Sequence, residues 1–127
     1  MSEVKVLVVD DEANICSLLE DALTSKGYTV RTCRDGECAI ARAKQETFQV
    51  VFLDIKMPGM NGVEVLKRLR KQLPKAAFVM ITGYAQSDLV DESLSSGAFV
   101  CLSKPFGIAQ VLDVVDSFLP EKTPAAL

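Results

Sequence analysis

The chain has 127 residues, of which 49% are hydrophobic and 24% charged, and a formal net charge of −3. That length supports one domain with a proper core, and that charge supplies no general attraction to nucleic acid. No apolar stretch reaches the length of a membrane span. The first four residues, Met-Ser-Glu-Val, form neither a basic region nor an apolar leader, so no signal peptide is predicted and a cytoplasmic location is expected.

Residues 4–9 read as a first buried strand that ends on Asp10, Asp11 and Glu12. A helix is predicted over 13–26, because Ile15, Leu18, Leu19, Ala22 and Leu23 recur on one face. Gly27 is its expected C-terminal cap. A short Thr- and Val-rich strand over 28–33 follows. Asp35 is placed to cap a second helix over 36–45, with Ala39, Ile40 and Ala43 inward. The next strand, Val-Val-Phe-Leu-Asp over 50–54, is a continuous apolar run that stops on a carboxylate, Asp54. Such a run suits a parallel strand covered on both faces. Pro58 and Gly59 then turn the chain.

Asn61 is predicted to cap a third helix, with Glu64 three residues on in a pattern similar to a capping box. Val63, Leu66 and Leu69 are its buried stripe, and Lys67, Arg68, Arg70 and Lys71 its solvated face rather than a nucleic-acid site. A fourth strand spans 76–81 and leads into Thr82. A weak helix over 87–95, stopped by Gly97, precedes a fifth strand over 99–102, which leads into Ser103-Lys104-Pro105. The last helix, 106–119, turns Ile108, Val111, Leu112, Val115 and Phe118 inward, and Pro120 ends it. Residues 1–119 thus read as one domain and 120–127 as a tail or the start of a linker. Five strand–helix units imply an α/β fold: a five-stranded parallel sheet flanked by five helices, with right-handed crossovers and strand order 2-1-3-4-5.

Four cysteines occur, Cys16, Cys33, Cys38 and Cys101, without a Cys-x-x-Cys pair. No disulfide is expected of them. There is no histidine, which excludes a Ser-His or Cys-His nucleophile within the chain. A phosphoryl group arriving from a histidine must come from another protein.

Every candidate functional residue lies just past a strand's C-terminus, and in a parallel sheet those ends meet on one edge. Asp10 and Asp11 follow the first strand, Asp54 ends the third, Thr82 follows the fourth and Lys104 the fifth. Crowded carboxylates repel one another, and a hard divalent cation relieves that repulsion. Lys104 adds a point charge suited to phosphate. A carboxylate nucleophile, a metal and a lysine are the parts needed to accept a phosphoryl group.

Four stretches, Val-Val-Asp-Asp-Glu, Phe-Leu-Asp-Ile-Lys-Met-Pro-Gly-Met-Asn-Gly, Ile-Thr-Gly-Tyr-Ala and Ser-Lys-Pro-Phe, resemble in order the motifs of bacterial two-component response-regulator receiver domains. The resemblance covers about residues 4–119 and implies a flavodoxin-like receiver fold. It implies that Asp54 is the phospho-acceptor and that Mg²⁺ is held by Asp11, by Asp54, by the Lys56 carbonyl and, through waters, by Asp10. It further implies that Thr82 and Lys104 contact the phosphoryl oxygens and that the Lys104–Pro105 bond is cis. Glu12 is expected to be only a first-turn helix charge. The implied partner is a sensor histidine kinase or a phosphotransfer protein. The chain would catalyse its own modification and would not be a multiple-turnover enzyme. A homodimer and a missing output domain stay open, and no membrane partner is implied.

One position departs from the family's pattern. Cys101 stands where receivers usually carry Tyr or Phe, and it is too small to act as their swinging ring. Phe99, two residues earlier and expected on the same side of the strand, is the candidate substitute, with switching routed through residues 82–87 and the fourth helix. Lys56 and Tyr84 are expected to lean over the site and slow the loss of the phosphoryl group. Three rival readings are weighed: a flavin-binding redox domain, a phosphatase of the haloacid dehalogenase type, and a phosphorylation-independent dimerisation module. Asp10-Asp11-Glu12 would repel a flavin phosphate and fits poorly the Asp-x-Asp that the phosphatases need. The complete acceptor set argues against the third.

Overall fold

A computed structural model describes residues 4–57, 59–83 and 88–119. Its main sheet has five strands: β1 Lys5–Val9, β2 Thr29–Cys33, β3 Val50–Asp54, β4 Ala77–Thr82 and β5 Val100–Ser103. All neighbouring pairs are parallel, and the order is β2-β1-β3-β4-β5, as predicted. Five helices fill the connections: α1 Ala13–Thr24, α2 Gly36–Gln45, α3 Gly62–Gln72, α4 Asp88–Ser95 and α5 Ile108–Phe118. Between β3 and α3, Lys56–Met57 and Met60–Asn61 form a short antiparallel pair that the sequence reading did not include.

The sheet divides the core in two because successive side chains on a strand point to opposite faces. Leu7, Val9, Val51, Leu53, Phe78 and Met80 pack with Ala39 and Ala43 of α2 and with Val65, Leu66 and Leu69 of α3. Val6, Val8, Phe52, Val79 and Ile81 pack with Cys16, Leu19 and Leu23 of α1 and with Val111 and Val115 of α5. β3 is central and buried along its whole length, as its unbroken apolar run requires.

Local signals account for most of the helix ends. The Asp35 carboxylate accepts the Cys38 N–H at 2.8 Å, and the Asn61 side chain accepts the Val63 N–H at 2.8 Å. Gly27 has φ +92°, a conformation open to glycine after a helix end. Glu64 pairs with Lys67 at 3.9 Å on the exposed face of α3. The α1 stripe is rotated from the predicted one. Cys16, Leu19 and Leu23 are buried, whereas Leu18 is 40% exposed. The stripe facing the sheet is narrower than the apolar face of the helix, so Leu18 falls at its margin.

Two cysteine and aromatic expectations are corrected. Cys33 and Cys38 are paired as a disulfide, with Cα atoms 5.7 Å apart. The end of β2 and the first turn of α2 fold back on each other there, a proximity that no sequence spacing advertises. Phe99 does not share the side of Cys101. β5 begins only at Val100, so strand alternation does not extend to Phe99. Its ring meets Phe118 of α5 edge-on at 5.8 Å, whereas Cys101 packs toward the α2–α3 side of the sheet. Pro58, residues 84–87, including Tyr84, and the tail over 120–127 lie outside the described residues.

The turn from β3 into α3 leaves no room at Gly62. A Cβ there would sit 2.2 Å from the Asp54 carbonyl oxygen and 2.7 Å from Ile55 Cα, both backbone atoms. The Gly62 N–H donates to the Ile55 carbonyl at 2.7 Å in the same turn. Gly62→Ala is therefore expected to lower stability by about 1–3 kcal/mol, the usual cost of overpacking. Urea unfolding would read this as a lower midpoint, and an unchanged midpoint would show that α3 can back away.

Candidate functional site

The parallel register brings the predicted residues to one edge. Val9 pairs with Leu53, Asp54 with Ile81, and Thr82 with Ser103. Asp10, Asp54, Thr82 and Lys104 are thereby level with one another, each at or just past a strand end. The Lys104 N–H donates to the Thr82 carbonyl at 2.7 Å, and the Asp10 N–H to the Cys33 carbonyl at 3.1 Å. The peptide bond between Lys104 and Pro105 is cis, as the resemblance implied.

Lys104 Nζ is the hub. It lies 3.3 Å from Asp54 Oδ2, 3.4 Å from Asp10 Oδ2 and 3.3 Å from Glu12 Oε2. Asp10 is fully buried, and Asp54 and Thr82 are nearly so. The other oxygen of Asp54 accepts the Lys56 N–H at 3.2 Å, and Asp10 Oδ1 accepts the Glu12 N–H at 2.8 Å. Asp10 Oδ2 is buried beside the ammonium yet makes no well-directed hydrogen bond.

The Lys104 ammonium does not fully balance this acid load. Burial pushes the Asp54 carboxyl up to about 6, and the nearby Asp10 charge adds to the rise; Lys104 and the Lys56 N–H oppose it. Asp10 is raised by the same desolvation, against the Glu12 N–H and Lys104. For Lys104, burial works downward, but the Asp54 and Asp10 charges outweigh it and its pKa is raised. The ammonium therefore stays charged.

Asp10, Asp11 and Asp54 each offer a carboxylate oxygen, all within 4.8 Å of one another. Hard oxygen donors in this number, one of them from a residue that also has a buried oxygen short of a hydrogen bond, fit a cation such as Mg²⁺. The cleft above them, about 340 Å³, is lined by Asp11, Glu12, Asp54, Lys56, Gly83 and Lys104. It therefore brings together a partly shielded carboxylate, a fixed cation and room for a small anion.

Glu12 is the member of this group that sequence reasoning undervalued. It precedes α1 as a helix charge would, but its carboxylate turns to Lys104 across 92 positions of chain. The Asp-Asp-Glu run contained the residue, and only the placement of Lys104 showed its partner.

Comparison with known proteins agrees with this geometry. A family model described as the response regulator receiver domain matches residues 6–116. The sporulation initiation phosphotransferase F of Bacillus subtilis is 34% identical over 97% of this chain and 99% of its own length. The alkaline phosphatase synthesis transcriptional regulatory protein PhoP of the same species is 37% identical over 96% of this chain. This chain spans only about half of PhoP, 51%. The crystal structure of a CheY-like receiver domain protein from Methanospirillum hungatei superposes with a TM-score of 0.90 at 30% identity, covering 95% of this chain and 97% of that one. Sheet order, motif placement and these matches agree: the chain belongs to the response regulator receiver domain family.

Proposed function

We propose that Asp54 accepts a phosphoryl group, in the presence of Mg²⁺, from a phosphohistidine on a sensor histidine kinase or phosphotransfer protein. The observation that carries this reading is the Asp54 carboxylate itself. It sits at the cleft floor, 3% exposed, 3.3 Å from a lysine ammonium and within carboxylate-bridging distance of Asp10 and Asp11. The chain has no histidine, so the donor is another molecule. The phosphotransferase name of the B. subtilis relative supports a phosphoryl-handling role.

An Asp54 oxygen attacks phosphorus while the bond from phosphorus to the donor's imidazole nitrogen breaks and that nitrogen keeps the electron pair. Asp11, Asp54 and the Lys56 carbonyl would hold the cation, with Asp10 orienting its waters. When bound, Mg²⁺ neutralises the acids and the charge on the transferring group. The chain's own residues do the rest. The buried strand end holds the nucleophile in place. Lys104 can exchange its pairing with Asp54 for a phosphoryl oxygen, and the Thr82 hydroxyl can donate to another. A modified side chain of about −1.5 to −2 charge then interacts differently with these two residues and biases a two-state equilibrium. We place the readout on α4, β5 and α5, and its cellular setting in the cytoplasm. The chain modifies itself and does not turn over an external substrate.

Three outcomes are expected. Intact mass after treatment with acetyl phosphate and Mg²⁺ should rise by one phosphoryl group in the wild type and stay unchanged in Asp54→Asn. A rise in the variant would move the acceptor elsewhere.

The second concerns stability without metal. Asp54 is raised from 3.8 to about 6 on folding, so its proton favours the fold. That contribution is fully present below pH 3.8 and is lost as pH rises through 6. Asp54→Asn removes the buried charge and should stabilise the metal-free protein by about 1–3 kcal/mol at neutral pH. The gain should fade toward pH 4. Urea unfolding at the two pH values measures it, and an equal gain at both would assign the effect to something other than titration.

The third concerns the readout. Amide resonances of α4 should move when beryllofluoride is added with Mg²⁺. If only the cleft residues move, the proposed route is wrong.

A further inference from the structure

The cysteine pair lies outside the acceptor site but is wired to it. Cys33 ends β2 and is buried; Cys38 is in the first turn of α2 and half-buried. β2 lies beside β1 with Cys33 level with Val9, one residue before the acid pair. Two hydrogen bonds cross from this corner. The Cys33 carbonyl accepts the Asp10 N–H at 3.1 Å, and the next residue, Arg34, donates from Nε to the Asp11 carbonyl at 3.0 Å. The five-residue separation closes only a small loop. Closing so short a loop removes little chain entropy, so the bond is a weak staple for a fold with two full core layers. A disulfide with one half-buried partner, closing a loop that contributes little to the fold, is the kind that exchanges.

We propose that Cys33 and Cys38 form a reversible dithiol–disulfide site, oxidised by exchange with a small-molecule disulfide, whose state is transmitted to Asp10 and Asp11 through the β2–α2 connection. The half-buried Cys38 is the entry point. Its thiolate attacks one sulfur of R–S–S–R, that bond breaks, and the departing RS⁻ takes up a proton to give RSH. The Cys33 thiolate then attacks the Cys38 sulfur and releases the second RSH. The two cysteines lose two electrons and two protons, and the external disulfide gains them. The other two thiols are poor competitors: Cys16 is buried, and Cys101 packs against the α2–α3 layer with no second cysteine paired to it. When the bond is open, the first turn of α2 is no longer tied to the end of β2, and Arg34 and the Cys33 carbonyl gain freedom against the acid pair.

The test uses the full chain, reduced and then equilibrated across a series of glutathione and glutathione disulfide ratios. Samples are quenched in acid, unfolded, alkylated with N-ethylmaleimide and weighed intact. Four alkylated thiols are expected at the reducing end, and two at the oxidising end, with Cys33 and Cys38 lost together. Cys33→Ala should instead stop at a persistent glutathione adduct on Cys38. Cys38→Ser, at a half-buried position, should keep three thiols throughout, and Cys101→Ser should leave the paired loss intact. Amide resonances of Asp10 and Asp11, recorded without metal, should differ between the oxidised and reduced wild type and be indifferent to glutathione ratio in Cys38→Ser. A stable glutathione adduct on wild-type Cys38, or independent loss of the two thiols, would overturn the exchange. Superimposable Asp10 and Asp11 amides in the two states would overturn the coupling. Neither readout requires that Asp54 be phosphorylated.

Discussion

The Lys104 ammonium amid several carboxylates is the interaction on which this edge of the molecule depends. Lys104 meets Asp10, Asp54 and Glu12 within 3.4 Å, and Asp11 stands beside them. Burial makes the shortage of positive charge felt, because low local dielectric strengthens repulsion as well as attraction. The consequence is visible in Asp54, whose carboxyl is held near 6 by desolvation and by Asp10. A site in this condition favours any ligand that brings a cation. The stability lost there is offset by apolar layers on both sides of the sheet, with β3 buried from end to end.

The same edge is tied to the rest of the chain by backbone. Asp10 donates to Cys33, Ile55 to Ile81, and Lys104 to Thr82, so neighbouring strand ends are fastened across the site. Cys16 Sγ reaches the Asp10 carbonyl at 3.4 Å from α1, and Gly62 packs α3 directly on the backbone behind Asp54. Movement of one acid is therefore felt in several elements at once. Cys101 stands on β5, level with Met80 of β4. At this position it packs toward the α2–α3 layer, while the exposed Phe99 stands against Phe118 on α5. β5 itself carries no aromatic side chain.

The division between what was legible and what was not follows range. Alternating strand and helix patterns, the capping residues Asp35 and Asn61, and the continuous run of β3 are local signals, and the elements formed where they indicated. The grouping of the candidate residues was legible for a topological reason. A parallel sheet collects its strand ends on one edge, so Asp10, Asp11, Asp54, Thr82 and Lys104 could be grouped before any distance was known. Leu18, Phe99, Glu12 and the cysteine pair were misjudged together. Each depends on the exact angle at which one element meets another, or on where a strand begins.

Composition, periodicity and the order of motifs thus determined the α/β architecture, the strand order and the edge that carries the acids, because hydrophobic period and connection handedness are written along the chain. Tertiary structure alone decided that Glu12 turns to Lys104, that Cys33 meets Cys38, and that Asp54 is desolvated enough to titrate near 6. Those outcomes depend on distances and burial between residues far apart in sequence, which exist only once the layers have packed.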